Sequence, residues 1–238
     1  MIIIKKKNIF ILFLLFILLF LFFYNKKIVP TSSIPVSNHV IILDAGHGYP
    51  DGGATGKNNT IESDLNLEVV LKLQKYLEAS GTTVLLTRSD ENGIYDTDSK
   101  TIRNQKISDM KNRVKIANNS DAEIFVSVHM NKIPEEKYSG WQTFYKNNDE
   151  KSKQIANQIQ ISLDSYMNEN ENENKNNSTR KIKSISGIYL TQNVEIPLVL
   201  IECGFLSNEN ESILLKSEAY QEKLAWSIYT GLIDFWGT

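Results

Sequence analysis

The stretch Val40-Ile41-Ile42-Leu43-Asp44-Ala45-Gly46-His47-Gly48 decides how the rest of the chain is read. Four apolar residues, three of them β-branched, run into an acid and then into a histidine between glycines. That is the pattern of a buried strand feeding a tight turn. Working outward, short β-rich runs keep alternating with amphipathic stretches. Leu65, Val69, Leu73, Tyr76 and Leu77 share one helical face, and Gly81 stops that helix. Thr83 to Thr87 reads as the next strand. Ile107, Met110, Val114 and Ala117 form a second helical face. Ile124 to Val128 is a third strand leading into His129, and Trp141 to Tyr145 a fourth. Ile155, Ile159, Leu163, Tyr166 and Met167 make another helix. Gly187 to Leu190 and Leu198 to Ile201 read as strands, the second ending in Glu202, and Leu224, Ile228, Leu232 and Phe235 close the chain as a helix. This alternation predicts an α/β fold with a sheet of about six strands covered by helices on both faces. Such sheets place their sites at the carboxyl ends of strands. His47, His129 and Glu202 all fall at such ends.

Composition narrows the classes. The 238 residues carry 26 Lys+Arg against 28 Asp+Glu, a net charge of −2, without the basic excess of a nucleic-acid binder. The single cysteine, Cys203, excludes an internal disulfide framework and a Cys-based zinc finger. The N-terminus stands apart. Lys5, Lys6 and Lys7 precede an unbroken apolar run from Ile9 to Tyr24, ended by Asn25, Lys26 and Lys27. This reads as an export signal. The run spans roughly 24 Å as a helix, a little under a bilayer's hydrocarbon core. No small-x-small cleavage site follows, so residues 1–27 are read as an uncleaved signal-anchor, with secretion as the outcome if they are cleaved. Residues 28–38, with Pro30 and Pro35, read as a linker. Residues 39–238 are the expected catalytic domain, 21 basic against 28 acidic residues once the five lysines of the first 27 are set aside. The tract Asn168 to Asn177 is too polar to pack and reads as a loop without function.

The chemistry gathers on few residues. Of three histidines, His39 sits at the linker boundary and reads as incidental. His47 lies among small residues that let the backbone turn and leave the imidazole accessible. His129 ends an apolar strand. Two histidines with one carboxylate make a catalytic zinc site with a fourth position open for water. Glu62, at the start of the first helix, is the candidate third ligand, although a carboxylate there also suits the helix dipole. Glu202 follows a buried-looking run. Burying an ionised carboxylate is costly, so it needs either an ion-pair partner or a role as general base in a hydrolase.

Four segments resemble the zinc-dependent N-acetylmuramoyl-L-alanine amidases, in the right order. They are Ile41 to Gly48, Thr87-Arg88, Ser127-Val128-His129-Met130-Asn131, and Pro197 to Asn208. The resemblance implies one Zn2+ per chain held by His47, Glu62 and His129, with Glu202 as catalytic carboxylate. It implies a mostly parallel mixed sheet of the phosphorylase/hydrolase-like type. The reaction implied is hydrolysis of the amide joining the lactyl group of N-acetylmuramic acid to the L-alanine of the peptidoglycan stem peptide. Arg88 and Asn131 are expected to contact substrate, with ion pairing equally open for Arg88. Asp44 is expected to orient a ligand histidine. Tyr49 stands where the family often has Gly, which would narrow the cleft, and Cys203 where it often has Val, which reads as a small buried hydrophobe.

Within the family, Ser139 to Tyr145 is similar to the germination-specific amidases of endospore formers. Self-inhibited members insert a helix after the second histidine. Lys132 to Ser139 is too short for one, which leaves control to expression, location or a partner. The subgroup implies formation of muramic-δ-lactam in spore cortex, ahead of a muramic-acid deacetylase, with a lipoprotein activator in some members. The competing readings are a vegetative autolysin of the same chemistry, a zinc carboxypeptidase or aminopeptidase, and a non-catalytic wall-binding module.

Overall fold

The computed structural model describes residues 37–168 and 180–237. The segment read as a signal-anchor, most of the expected linker and nearly all of the 168–177 tract lie outside them. No helix among the described residues is long and apolar enough to cross a membrane.

In chain order the elements are β1 (Val40–Ala45), α1 (Glu62–Ala79), β2 (Thr83–Leu86), α2 (Ile102–Asn118), β3 (Ile124–Asn131), β4 (Gln142–Lys146), α3 (Glu150–Met167), β5 (Lys183–Ile185), α4 (Tyr189–Asn193), β6 (Leu198–Phe205), α5 (Glu209–Leu215) and α6 (Glu218–Trp236). The strands form one six-stranded sheet in the order β2-β1-β3-β6-β4-β5. β1, β2, β3 and β6 run parallel; β4 runs antiparallel to β6 and parallel to β5. This is the expected α/β class.

Period-2 alternation divides the sheet into two faces. Ile41, Leu43, Ala45, Val126, Val128, Val199, Ile201 and Cys203 pack with α1, α3 and α6 in the larger core. Ile42, Phe125 and Leu198 face the smaller core with α2 and α4. The same parity puts Asp44, Ser127, His129, Leu200 and Glu202 on that second face, where the apolar cover is thinner. Adjacent residues thus go opposite ways. Cys203 is a fully buried thiol in the large core, while Glu202 turns toward the cleft.

Two elements differ from expectation. Gly187 to Leu190 is not a strand. Gly187 takes φ +85, which ends the extended run after Ile185. The Thr191 hydroxyl then donates to the Ile188 carbonyl at 2.9 Å, and Asn193 Nδ2 to the Tyr189 carbonyl at 2.8 Å, holding the chain in the short helix α4. In α2 the expected apolar face is only partly buried. Ile107 is exposed, and the buried residues are Ser108, Arg113 and Ala117. That helix packs through polar chemistry as much as through apolar contact.

The large core closes where α6 crosses α3 at Gly231. A Cβ there would lie 2.6 Å from Ile159 Cα and 2.9 Å from the Gln158 carbonyl oxygen, both rigid helix backbone. Alanine normally stabilises a helix interior over glycine by about 1 kcal/mol. Here the clash dominates, since overpacking a core costs about 1–3 kcal/mol. Gly231→Ala is therefore expected to lower Tm by several degrees in a thermal melt, on the scale of about 2–4 °C per kcal/mol for a domain of this size; an unchanged or raised Tm would contradict the close approach.

Candidate metal centre

The centre is built on the turn after β1. β3 outruns β1, so Gly46 N–H still donates to the Val128 carbonyl at 3.1 Å while His129 projects past the end of the ladder. The imidazole of His129 lies over Gly46, where a Cβ would sit 2.2 Å from its Cε1. Only glycine fits. His47 then adopts φ 63, a left-handed conformation uncommon outside glycine.

Buried side chains hold this turn. Arg113 Nη2 donates to the His47 carbonyl at 2.5 Å and Nη1 to the Ala45 carbonyl at 2.9 Å. Arg88 donates through Nε to the Ala45 carbonyl at 2.8 Å, and through Nη2 to the carbonyls of Ser63 at 2.8 Å and Gly46 at 3.2 Å. Asn66 Nδ2 adds a bond to the Gly46 carbonyl at 3.0 Å. Arg113 is itself held by Asp44 and by Asp109, the latter at 2.6 Å from Nε. Asp44 also accepts from the hydroxyls of Thr87 at 2.7 Å and Ser127 at 2.6 Å. Burial favours the neutral acid, but Arg113 and the two hydroxyls outweigh it and hold the Asp44 carboxyl below its ordinary range.

Glu62 enters from the first turn of α1. The backbone N–H groups of Glu62 and Ser63 are taken by the carbonyls of Ala54 at 2.9 Å and Gly52 at 3.1 Å, so the side chain is not consumed as a cap. Its Oε2 accepts from Ala54 N at 2.8 Å and its Oε1 from Met130 N at 3.2 Å. His129 Nδ1 lies 3.0 Å and His47 Nε2 3.3 Å from Oε1. One ligand atom from each of the three lies within 4.8 Å of the others. Burial pushes the Glu62 carboxyl up, but both imidazoles pull it well below the usual carboxylate range. Burial likewise opposes protonation of His47, yet Asp51 and Glu62 lift it to about 9. Two nitrogens and one carboxylate oxygen converging this way fit a divalent cation of zinc type. Crowding supports that fit: a Cβ at Gly53 would meet Glu62 Oε2 at 2.6 Å and His47 Cδ2 at 2.7 Å.

Glu202 pairs directly with His129 in the β3–β6 register. Its Oε2 is buried without a hydrogen-bond partner among the described residues. Desolvation raises its carboxyl to about 7, with His129 opposing and Glu62 adding to the rise. Among the described residues, no cation lies within ion-pair distance of Glu202. Glu202 lines an open cleft of about 280 Å³ together with His47, His129, Asp51, Lys106 and the apolar Met110, Ile188, Leu190 and Leu200.

The structure brings His47, Glu62, His129 and Glu202 together as the sequence suggested. It redirects the other expectations. Arg88 is buried with its donors spent on backbone carbonyls, Asp90 among them, and does not line the cleft. Its hydrogen bonds go to backbone carbonyls rather than to a carboxylate. Asp44 does not reach a histidine ring; it acts on His47 through Arg113, which holds the backbone. Asn131 sits where the β3–β6 register shifts, its carbonyl accepting from Leu206 N at 2.8 Å, and is not among the cleft residues. Tyr49 is 67% exposed. His39 contacts Glu123 at 3.0 Å and stacks on Trp236, away from the centre. Sequence reading missed Arg113 and Asp51. The signal for Arg113 was a cation on the face shared by Met110 and Ala117; for Asp51 it was an acid four residues after a candidate ligand.

A mostly parallel sheet that gathers a His-Glu-His set and an unpaired carboxylate at its strand ends has the plan of a metal-assisted hydrolase. Residues 41–234 match the profile of the Amidase_3 family, N-acetylmuramoyl-L-alanine amidase, and the chain belongs to that family. It is 41% identical over 203 residues to the germination-specific N-acetylmuramoyl-L-alanine amidase of Bacillus subtilis, covering 85% of this chain and 82% of that one. It is 28% identical to the amidase LytC of the same organism, over 85% of this chain but 36% of LytC. Among solved structures, the CwlD amidase of Clostridioides difficile, in complex with the GerS lipoprotein, superposes with a TM-score of 0.77 at 44% identity, covering 83% of this chain and 98% of CwlD.

Proposed function

We propose that the chain is a zinc-dependent amidase of spore cortex, cleaving the bond between the lactyl group of N-acetylmuramic acid and L-alanine. The observation that carries the chemistry is the unpartnered, buried Glu202 oxygen beside the His47-Glu62-His129 cluster. Zinc bound by those three residues supplies a Lewis acid that polarises the amide carbonyl and acidifies water. Glu202 takes a proton from the attacking water as the carbon–oxygen bond forms. It returns that proton to the nitrogen as the carbon–nitrogen bond breaks, releasing the lactyl carboxylate and the free amine of alanine. Burial suits Glu202 to both halves of this exchange, because it raises the carboxyl toward neutrality. The apolar wall of Met110, Ile188, Leu190 and Leu200 limits water in the cleft.

Identity to the Bacillus subtilis germination-specific amidase supports the cortex as the place of action. The segment between β3 and β4 contains no helix that could plug the cleft, which leaves control to a partner or to timing. The lipoprotein complex formed by the Clostridioides difficile amidase supports a partner of that kind. In this reading residues 1–27 hold the domain on the outer side of a membrane, close to newly laid wall. Removing the stem peptide frees the lactyl carboxyl, and a later muramic-acid deacetylase exposes the amine with which it closes to muramic-δ-lactam.

Two experiments test the reading. Glu202→Gln preserves shape but cannot accept a proton. Turnover of purified peptidoglycan is expected to fall by about 10²–10⁴ with zinc content unchanged, and near-normal turnover would remove Glu202 from the chemistry. For the biological role, a deletion strain is expected to form spores whose cortex lacks muramic-δ-lactam, with vegetative growth and cell separation intact. Muropeptide analysis decides this: wild-type lactam, or chaining of growing cells, would favour the vegetative autolysin.

A further inference from the structure

One face of α2 meets the metal turn twice. Lys106, Asp109 and Arg113 fall three and four residues apart, on one side of the helix. Arg113, on the third of these, holds the turn's backbone, as described above. Lys106, two turns earlier, reaches a different atom. Its Nζ lies 2.7 Å from Asp51 Oδ1, while Asp51 Oδ2 lies 3.0 Å from His47 Nδ1. Asp51 Oδ1 also accepts from Gly53 N at 3.2 Å, which steadies the loop that crowds Glu62.

We infer that Asp51 and Lys106 are a pair of positioning residues that set the His47 ring for metal binding. This role rests on the zinc site proposed above. To bind a metal the imidazole must be neutral, with one N–H and one lone pair. With Asp51 accepting from Nδ1, the proton stays on that nitrogen and the lone pair is left on Nε2, the atom that faces Glu62. A ring flipped or in the other tautomer would present an N–H to the metal position. Carboxylates that accept from a ligand histidine in this way are worth about 10–100-fold in metal affinity. Lys106 acts one step further out. By engaging Oδ1 it leaves Oδ2 as the oxygen available to His47. Its side chain is 47% exposed against 22% for Asp51, so its contribution is the smaller of the two. α2 therefore fixes the backbone of His47 with one cation and its ring with another.

The test measures zinc affinity of the full chain by competition with a chromophoric chelator, alongside circular dichroism of each protein. Asp51→Asn is expected to weaken zinc binding by about 10–100-fold with the fold retained. Lys106→Met, which removes only a half-exposed ion pair, is expected to weaken it by about twofold to fivefold. Lys106→Arg should restore most of that loss. In the Asp51→Asn background, Lys106→Met should have no further effect, because its path to the metal has gone. Unchanged zinc affinity in Asp51→Asn would overturn the proposal, as would a Lys106→Met effect that persists without Asp51. A Lys106→Met protein with full zinc affinity and only a raised KM would also overturn it, placing the lysine on substrate instead. A wild-type chain that binds no zinc would defeat the metal reading itself, an outcome distinct from these.

Discussion

The buried pair of Asp44 and Arg113 is the constraint on which the centre depends. Asp44 lies in the middle of the sheet with no solvent exposure, and Arg113 is 2% exposed. Removing one partner of such a pair typically costs about 3–5 kcal/mol, because the other charge is left buried. That is a large share of the stability of an ordinary domain. The pair therefore ties α2 to the strand face that carries His129 and Glu202. It also explains how His47 can hold a left-handed backbone: with Arg113 and Arg88 on the carbonyls from Ala45 to His47, relaxing the turn would orphan several buried donors at once.

The two faces of the sheet divide the work. The face under α1, α3 and α6 is almost wholly apolar and supplies stability that does not depend on a metal. The face under α2 and α4 trades apolar burial for the Asp44-Ser127-Thr87-Arg113 network and an open cleft. Glu202 and Cys203 show the division at its sharpest: one residue apart, they have opposite environments and only the carboxylate meets the cleft.

Much of this was legible in the sequence because it depends on local pattern. The apolar run Val40 to Leu43, the helical spacing of Leu65 to Leu77 and the strand before His129 each follow from period and side-chain type. So did the candidate ligands, since histidine and glutamate at predicted strand ends and a helix start are few in this chain. What escaped depends on contacts far apart in sequence. Arg113 meets Asp44 across 69 positions, which no local period reports. Arg88 could be placed in a motif, but not seen to spend its donors on Ala45, Gly46, Ser63 and Asp90. The 187–190 run reads as strand by composition, and only the positive φ of Gly187 with two side-chain bonds turns it into α4.

The central claim is that His47, Glu62 and His129 form one zinc site beside Glu202. Its most direct test is a crystal of the zinc-loaded protein measured on both sides of the zinc absorption edge. The account predicts a single anomalous peak per chain, in contact with His47 Nε2, Glu62 Oε1 and His129 Nδ1, and facing Glu202. A peak bound by other residues, or none at those three atoms in fully loaded protein, would contradict it.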